Sequence, residues 1–128
     1  MKTLKHTTLI IIGILFIFET LSCKKKDTGM KISMEILTDR TWYLRARIIY
    51  DENGNRIIGH KLNSIYTFFS DGSFRKDNQP GQYTLTPGNP LMIHIHQTDY
   101  KISVLNDTEM EWEQQIPGEG SNKFIFQR

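Results

Sequence analysis

From Trp42 onward, apolar residues recur at every second position, and runs of this pattern are separated by short clusters of turn-forming residues. In 42–50 the even positions are apolar and the odd ones carry Arg45 and Arg47. Successive side chains of a strand point to opposite faces, so a period of two implies one buried and one wet face, as in an antiparallel sheet. Further strands are expected at 56–58, at 62–69 beyond a break at Gly59, and from Phe74 to Lys76. They continue at 82–86, 91–97, 100–105, 109–114 and 123–127. Turns fall at Asp51-Glu52-Asn53-Gly54-Asn55, Ser70-Asp71-Gly72-Ser73, Gln79-Pro80-Gly81, Pro87-Gly88-Asn89-Pro90 and Asn106-Asp107-Thr108, with a loop at 117–122. No connection is long enough to hold a crossover helix, which excludes parallel pairing. The economical fold is all-β: a small antiparallel up-and-down barrel of about eight strands, closed so that no edge is exposed. The segment 33–37 is the one helical candidate, with Ser33 as its N-cap and a length that requires packing against the barrel.

Ahead of this domain, Lys2 and Lys5 precede an apolar run from Leu9 to Phe18, and Glu19 follows it. The run is shorter than the roughly 20 residues of a membrane span and reads as the core of a signal peptide covering 1–22. Cys23 is the single cysteine; Leu21 and Ser22 precede it and Lys24, Lys25 and Lys26 follow. This arrangement resembles the lipobox of bacterial lipoproteins, with Thr20 where the usual pattern has a large aliphatic residue. The resemblance implies cleavage before Cys23 and its acylation with chains such as palmitate, which would anchor the protein in the cell envelope. Lys24 replaces the aspartate associated with inner-membrane retention, which implies the outer membrane. The expected organisation is a signal peptide at 1–22, a lipidated tether at 23–32 and a barrel at 33–128.

Composition narrows the partners. Removing Lys2, Lys5 and Glu19 from 16 basic and 14 acidic residues leaves the mature chain nearly neutral. It therefore lacks the electrostatic footprint of a nucleic-acid-binding protein. With no second cysteine the domain depends on its core alone, which raises the importance of aromatic burial.

A short helix, Trp42 opening the first strand, the stretch Tyr66-Thr67-Phe68-Phe69-Ser70-Asp71-Gly72-Ser73-Phe74 and the stretch Gly81-Gln82-Tyr83-Thr84-Leu85 together resemble the lipocalin-like domains of small bacterial lipoproteins. That resemblance implies that Trp42 plugs the bottom of the barrel beneath the helix and that Arg128 closes over its ring. Arg40-Thr41 stands where lipocalins proper have Gly-x before the tryptophan.

Candidate functional residues follow from the alternation. The inward set is Trp42, Leu44, Tyr66, Phe68, Tyr83, Leu85, Ile93, Ile95, Trp112, Phe124 and Phe126. An eight-stranded barrel either fills with such side chains or holds one small ligand. His94 and His96, two apart on one expected strand, are candidate metal ligands, with His60, Asp99, Glu109, Glu111 and Glu113 as further donors. If Ile93 and Ile95 face the core, both histidines face solvent. Glu109, Glu111 and Glu113 form an acidic stripe opposite Met110 and Trp112, and Arg45 and Arg47 form a basic one. No nucleophile motif stands out, and the alternation brings no Asp-His-Ser set together. The expected function is non-catalytic, without a cofactor: binding of a small apolar or amphipathic molecule at the membrane. Its lining would be Trp42, Leu44, Tyr66, Phe68, Tyr83, Ile93, Trp112 and Phe124. The alternative is a filled barrel acting as a protein-interaction module, such as an inhibitor or accessory subunit of an envelope complex.

Overall fold

One helix and eight antiparallel strands account for the computed structural model, which describes residues 29–128. Cys23, the signal peptide and the first part of the tether lie outside the described residues. The helix α1 occupies 29–37, and the strands are β1 (Thr41–Tyr50), β2 (Arg56–Phe68), β3 (Ser73–Lys76), β4 (Gln79–Thr86), β5 (Leu91–Ile95), β6 (Thr98–Leu105), β7 (Glu109–Ile116) and β8 (Gly120–Gln127). Each strand pairs with the next, and β1 pairs with β8, closing the barrel.

Several boundaries differ from expectation for local reasons. Ser33 is no N-cap: its hydroxyl donates to Gly29 O at 3.0 Å, one turn earlier, so 29–32 of the expected tether belong to the helix. Gly59 does not break β2, which runs unbroken beside β1 with Gly59 opposite Ile48. The expected turn at Gln79-Pro80-Gly81 lies within β4, with Pro80 opposite Arg75. The turn is instead made by Asp77 and Asn78, both at positive φ (49° and 68°), a conformation these two residue types tolerate. Strand β5 ends at Ile95, because His96 adopts φ 56° and starts the next turn.

The core sits at the helix end of the barrel. Leu37, Trp42, Phe68, Ile93, Met110 and Phe126 are fully buried, with Leu44, Tyr66, Phe74, Tyr83, Ile95, Ile102 and Trp112 nearly so. Leu85 and Phe124 are half-buried against this cluster. The rings interlock at edge-to-face angles, among them Phe68 with Tyr83 at 5.2 Å and Tyr66 with Phe126 at 5.3 Å. Phe74 lies over Gly81, its cross-strand partner on β4; any β-carbon there would run into the ring. Trp42 closes the floor. Its Nε1 donates to Leu37 O at 3.0 Å, and the Arg128 guanidinium carbon lies 4.8 Å from its ring. Thr38 bridges to Phe68, and Asp39 N donates to Phe68 O, which fixes the helix across the bottom.

Candidate functional site at the barrel mouth

The phase of β1 changes halfway along, and this creates the site. Phe126 and Phe124, two apart on β8, share the inner face, yet their partners on β1 are Leu44 and Arg47, three apart. A bulge between Leu44 and Ala46 supplies the extra residue and reverses the alternation beyond it. Trp42 and Leu44 therefore point inward below the bulge, and Arg47 and Ile49 point inward above it. The expectation that Arg45 and Arg47 share one wet face is corrected. Arg45 is exposed, its guanidinium 4.8 Å from the Tyr43 ring, whereas Arg47 lies 5.9 Å from the inner Phe124 ring with its Nε buried.

The registers extend this change around the wall. Arg47, Phe124, Trp112 and Ile102 form one interior row across β1, β8, β7 and β6. The next row toward the open end is Ile49, Asn122 and Gln114, with Asn122 Nδ2 donating to Gln114 Oε1 at 3.3 Å. On the opposite wall, Lys76 pairs with Tyr66 and brings its Nζ within 5.6 Å of that ring. The interior is thus apolar at the floor and increasingly polar toward the mouth.

A cavity of about 230 Å³ opens there, lined by Tyr66, Phe74, Lys76, Gln79, Pro80, Ile95, His96, Tyr100 and Trp112. Tyr100 joins this lining to the Arg47 row, with its ring 5.3 Å from Trp112 and 5.7 Å from Phe124. Burial, and secondarily Asp77, pushes the Tyr66 hydroxyl up to about 12. Burial also raises Tyr100, followed by Tyr66 as its neighbour, while a hydrogen bond with Thr98 and the charges of Lys76 and Arg47 act in the opposite direction. Three buried polar atoms, Arg47 Nε, Trp112 Nε1 and Asn122 Oδ1, have no hydrogen-bond partner among the described residues.

Of the expected lining, Tyr66 and Trp112 border the cavity and Phe124 stands behind Tyr100. Trp42, Leu44, Phe68, Tyr83 and Ile93 are buried below and fill the floor. Phe74, Lys76, Tyr100, Arg47 and Asn122 complete the mouth and were absent from the expected set. The first two carry a signal, since they alternate from the start of β3. Arg47 carries none, because only the bulge turns it inward.

The two histidines part company. His94 lies on the outer wall, and His96, beyond the end of β5, borders the mouth. Among the described residues no three His, Cys, Asp or Glu side chains gather as a metal site would need. His94 instead joins Asp99 and Thr86, which come from β6 and β4. Its Nδ1 donates to Asp99 Oδ1 at 2.6 Å, and its Nε2 lies 2.7 Å from the Thr86 hydroxyl oxygen. Sequence alternation missed this hydroxyl–imidazole–carboxylate relay because the hydroxyl is a threonine on a neighbouring strand. Its order matches that of a nucleophile, a base and an orienting acid. Pro87, the residue after Thr86, has no backbone N–H. The relay is a tie across three strands.

The acidic stripe also has local partners. Lys123 on β8 reaches Glu111 and Glu113 at 3.6 and 3.8 Å, and Lys101 on β6 reaches Glu113 at 3.7 Å. Strand β8 separates β7 from β1, so Glu111 and Glu113 pair with these lysines rather than with Arg45 or Arg47. No family model, curated protein or solved structure matches the chain.

Proposed function

We propose that the protein is a lipid-anchored, non-catalytic binding protein of the cell envelope that holds a small amphipathic molecule in the mouth of its barrel. The observation that carries this reading is the combination of an aromatic-walled cavity with buried polar atoms lacking partners at the open end. Ligand sites are characteristically apolar cavities with a few placed polar groups, and a volume of about 230 Å³ suits a ligand smaller than a typical drug. The closed floor, with Trp42 between the helix and Arg128, is compatible with the lipocalin-like resemblance of the sequence.

Native mass spectrometry of the purified full-length protein tests the reading. Binding predicts a retained small molecule, or a mass shift with hexanoate or its neutral counterpart 1-hexanol. No retained molecule and no shift with either probe overturns it. The anchor rests on Cys23 and its flanks, and Cys23→Ala should release the protein or leave an uncleaved precursor. A Cys23→Ala protein that still fractionates as a mature membrane protein overturns the lipidation.

One observation favours a protein-interaction module instead. Ile57 and Ile58, at the start of β2, are 62% and 46% exposed above a barrel whose lower half is filled. Replacing Ile57 with serine leaves small-molecule binding unchanged if the mouth is the functional site, whereas Ile58 stands opposite the inward Ile49 and belongs to the mouth itself.

A further inference from the structure

Resting on the mouth-binding reading, we infer that the ligand is an anion: a small amphipathic carboxylate whose charged end meets Arg47 and Trp112 and whose apolar part lies against Tyr66 and Tyr100. Arg47 and Trp112 flank Phe124 in one interior row, set there by the registers of β1, β8 and β7. Each brings a buried N–H, Nε–H of Arg47 and Nε1–H of Trp112, with no acceptor among the described residues. Buried donors are almost always satisfied, and the two demand the same complement, an oxygen acceptor. Charge makes the acceptor an anion. Lys76 lines the cavity and Arg47 stands in the adjoining row, while no aspartate or glutamate is among the residues bordering the cavity. Glu111 and Glu113 of β7 are engaged by Lys101 and Lys123 on the outer face. A guanidinium is also the side chain best shaped to receive a carboxylate through parallel hydrogen bonds. The walls set the other half of the ligand, because the rings of Tyr66, Tyr100 and Trp112 offer flat apolar surface beside these donors.

The remaining polar atom fits the same arrangement. Asn122, one row nearer the mouth than Phe124, spends its amide on Gln114 and leaves Oδ1 unpartnered among the described residues. That oxygen is an acceptor, suited to a hydroxyl or amide group on the ligand rather than to its carboxylate.

The test compares phenylacetate with phenylacetamide, which match in shape and differ in charge, using the full-length protein. Calorimetric titration should give phenylacetate at least tenfold tighter binding, with affinity falling as salt rises. Arg47→Gln should bring phenylacetate down to the affinity of phenylacetamide. The indole N–H signals supply a second readout that needs no variant. Trp112 should shift on adding phenylacetate, whereas Trp42, whose Nε1 already donates to Leu37 O, should stay in place. Equal binding of acid and amide, or a still Trp112 signal, overturns the anion inference while 1-hexanol binding keeps the mouth as a site. Failure of all three probes overturns both.

Discussion

Arg128 holds Trp42 from one side while the helix holds it from the other. The Arg128 guanidinium carbon is 4.8 Å from the indole ring, and its Nη2 donates to Ile36 O at 3.0 Å. Trp42 Nε1 donates to Leu37 O, so two side chains from the barrel satisfy carbonyls at the C-terminus of α1 that the helix itself leaves open.

Arg128→Ala removes both the cation–ring contact and one of these caps. It should cost about 1–2 kcal/mol of unfolding free energy. Arg128→Lys should recover part of the loss, since an ammonium keeps the charge without the planar fork. Denaturant melts of the three proteins check this; identical midpoints would show that the floor closes without Arg128.

Gly81 exists for the benefit of Phe74, whose ring occupies the space a β-carbon would take. Gly81→Ala should destabilise by about 1–3 kcal/mol, the usual cost of overpacking. Adding Phe74→Leu should return part of this, because the smaller side chain yields the space. A double-mutant cycle reads the coupling directly, and simple additivity of the two losses would contradict the packing described.

Alkaline pH should unfold the barrel through its buried tyrosines. Burial pushes Tyr66 and Tyr83 up to about 12; Asp77 adds to the first, and Asp71 and Asp39 to the second. Unfolded tyrosine titrates near about 10. The folded state therefore keeps these protons after the unfolded chain has begun to lose its own. Their contribution is complete below about pH 10 and is lost as pH rises from there through about 12. Unfolding free energy measured across this window should fall, and Tyr66→Phe/Tyr83→Phe should flatten the decline. At neutral pH, Tyr83→Phe alone should cost about 1 kcal/mol, as its hydroxyl donates to Phe69 O at 2.6 Å.

The Thr86–His94–Asp99 relay should behave as a structural tie. A fluorophosphonate probe, which traps activated hydroxyl nucleophiles, should leave Thr86 unlabelled, and His94→Gln should lower stability by about 0.5–1.5 kcal/mol. Labelling of Thr86 that depends on His94 would instead make this wall a catalytic one.

Strand count, antiparallel order and closure were legible in the sequence, because period-two alternation and turn residues act locally. Trp42, Phe68, Tyr83, Ile93 and Phe126 were placed inside on the same grounds, and all five are buried. The hairpin turn at Asp77-Asn78 was expected two to three residues later, at Gln79-Pro80-Gly81. Pro80 and Gly81 read as turn-formers, but Gly81 is needed inside β4 for Phe74 and Pro80 is tolerated in the short β3–β4 ladder. The mouth was harder to see. Apolar residues continue on both sides of β1 past Leu44, with Ala46 and Ile48 outside and Ile49 within, so nothing in their order marks the extra residue that turns Arg47 inward. Such a bulge is decided by how β8 and β2 fit against the strand, which is information held far away in the chain.

That extra residue near Arg45 separates two tasks along one strand. Below it the inward side chains belong to the packed core; above it they belong to the mouth, where the proposed ligand would sit. Standing and the proposed holding fall to different stretches of the same ten residues.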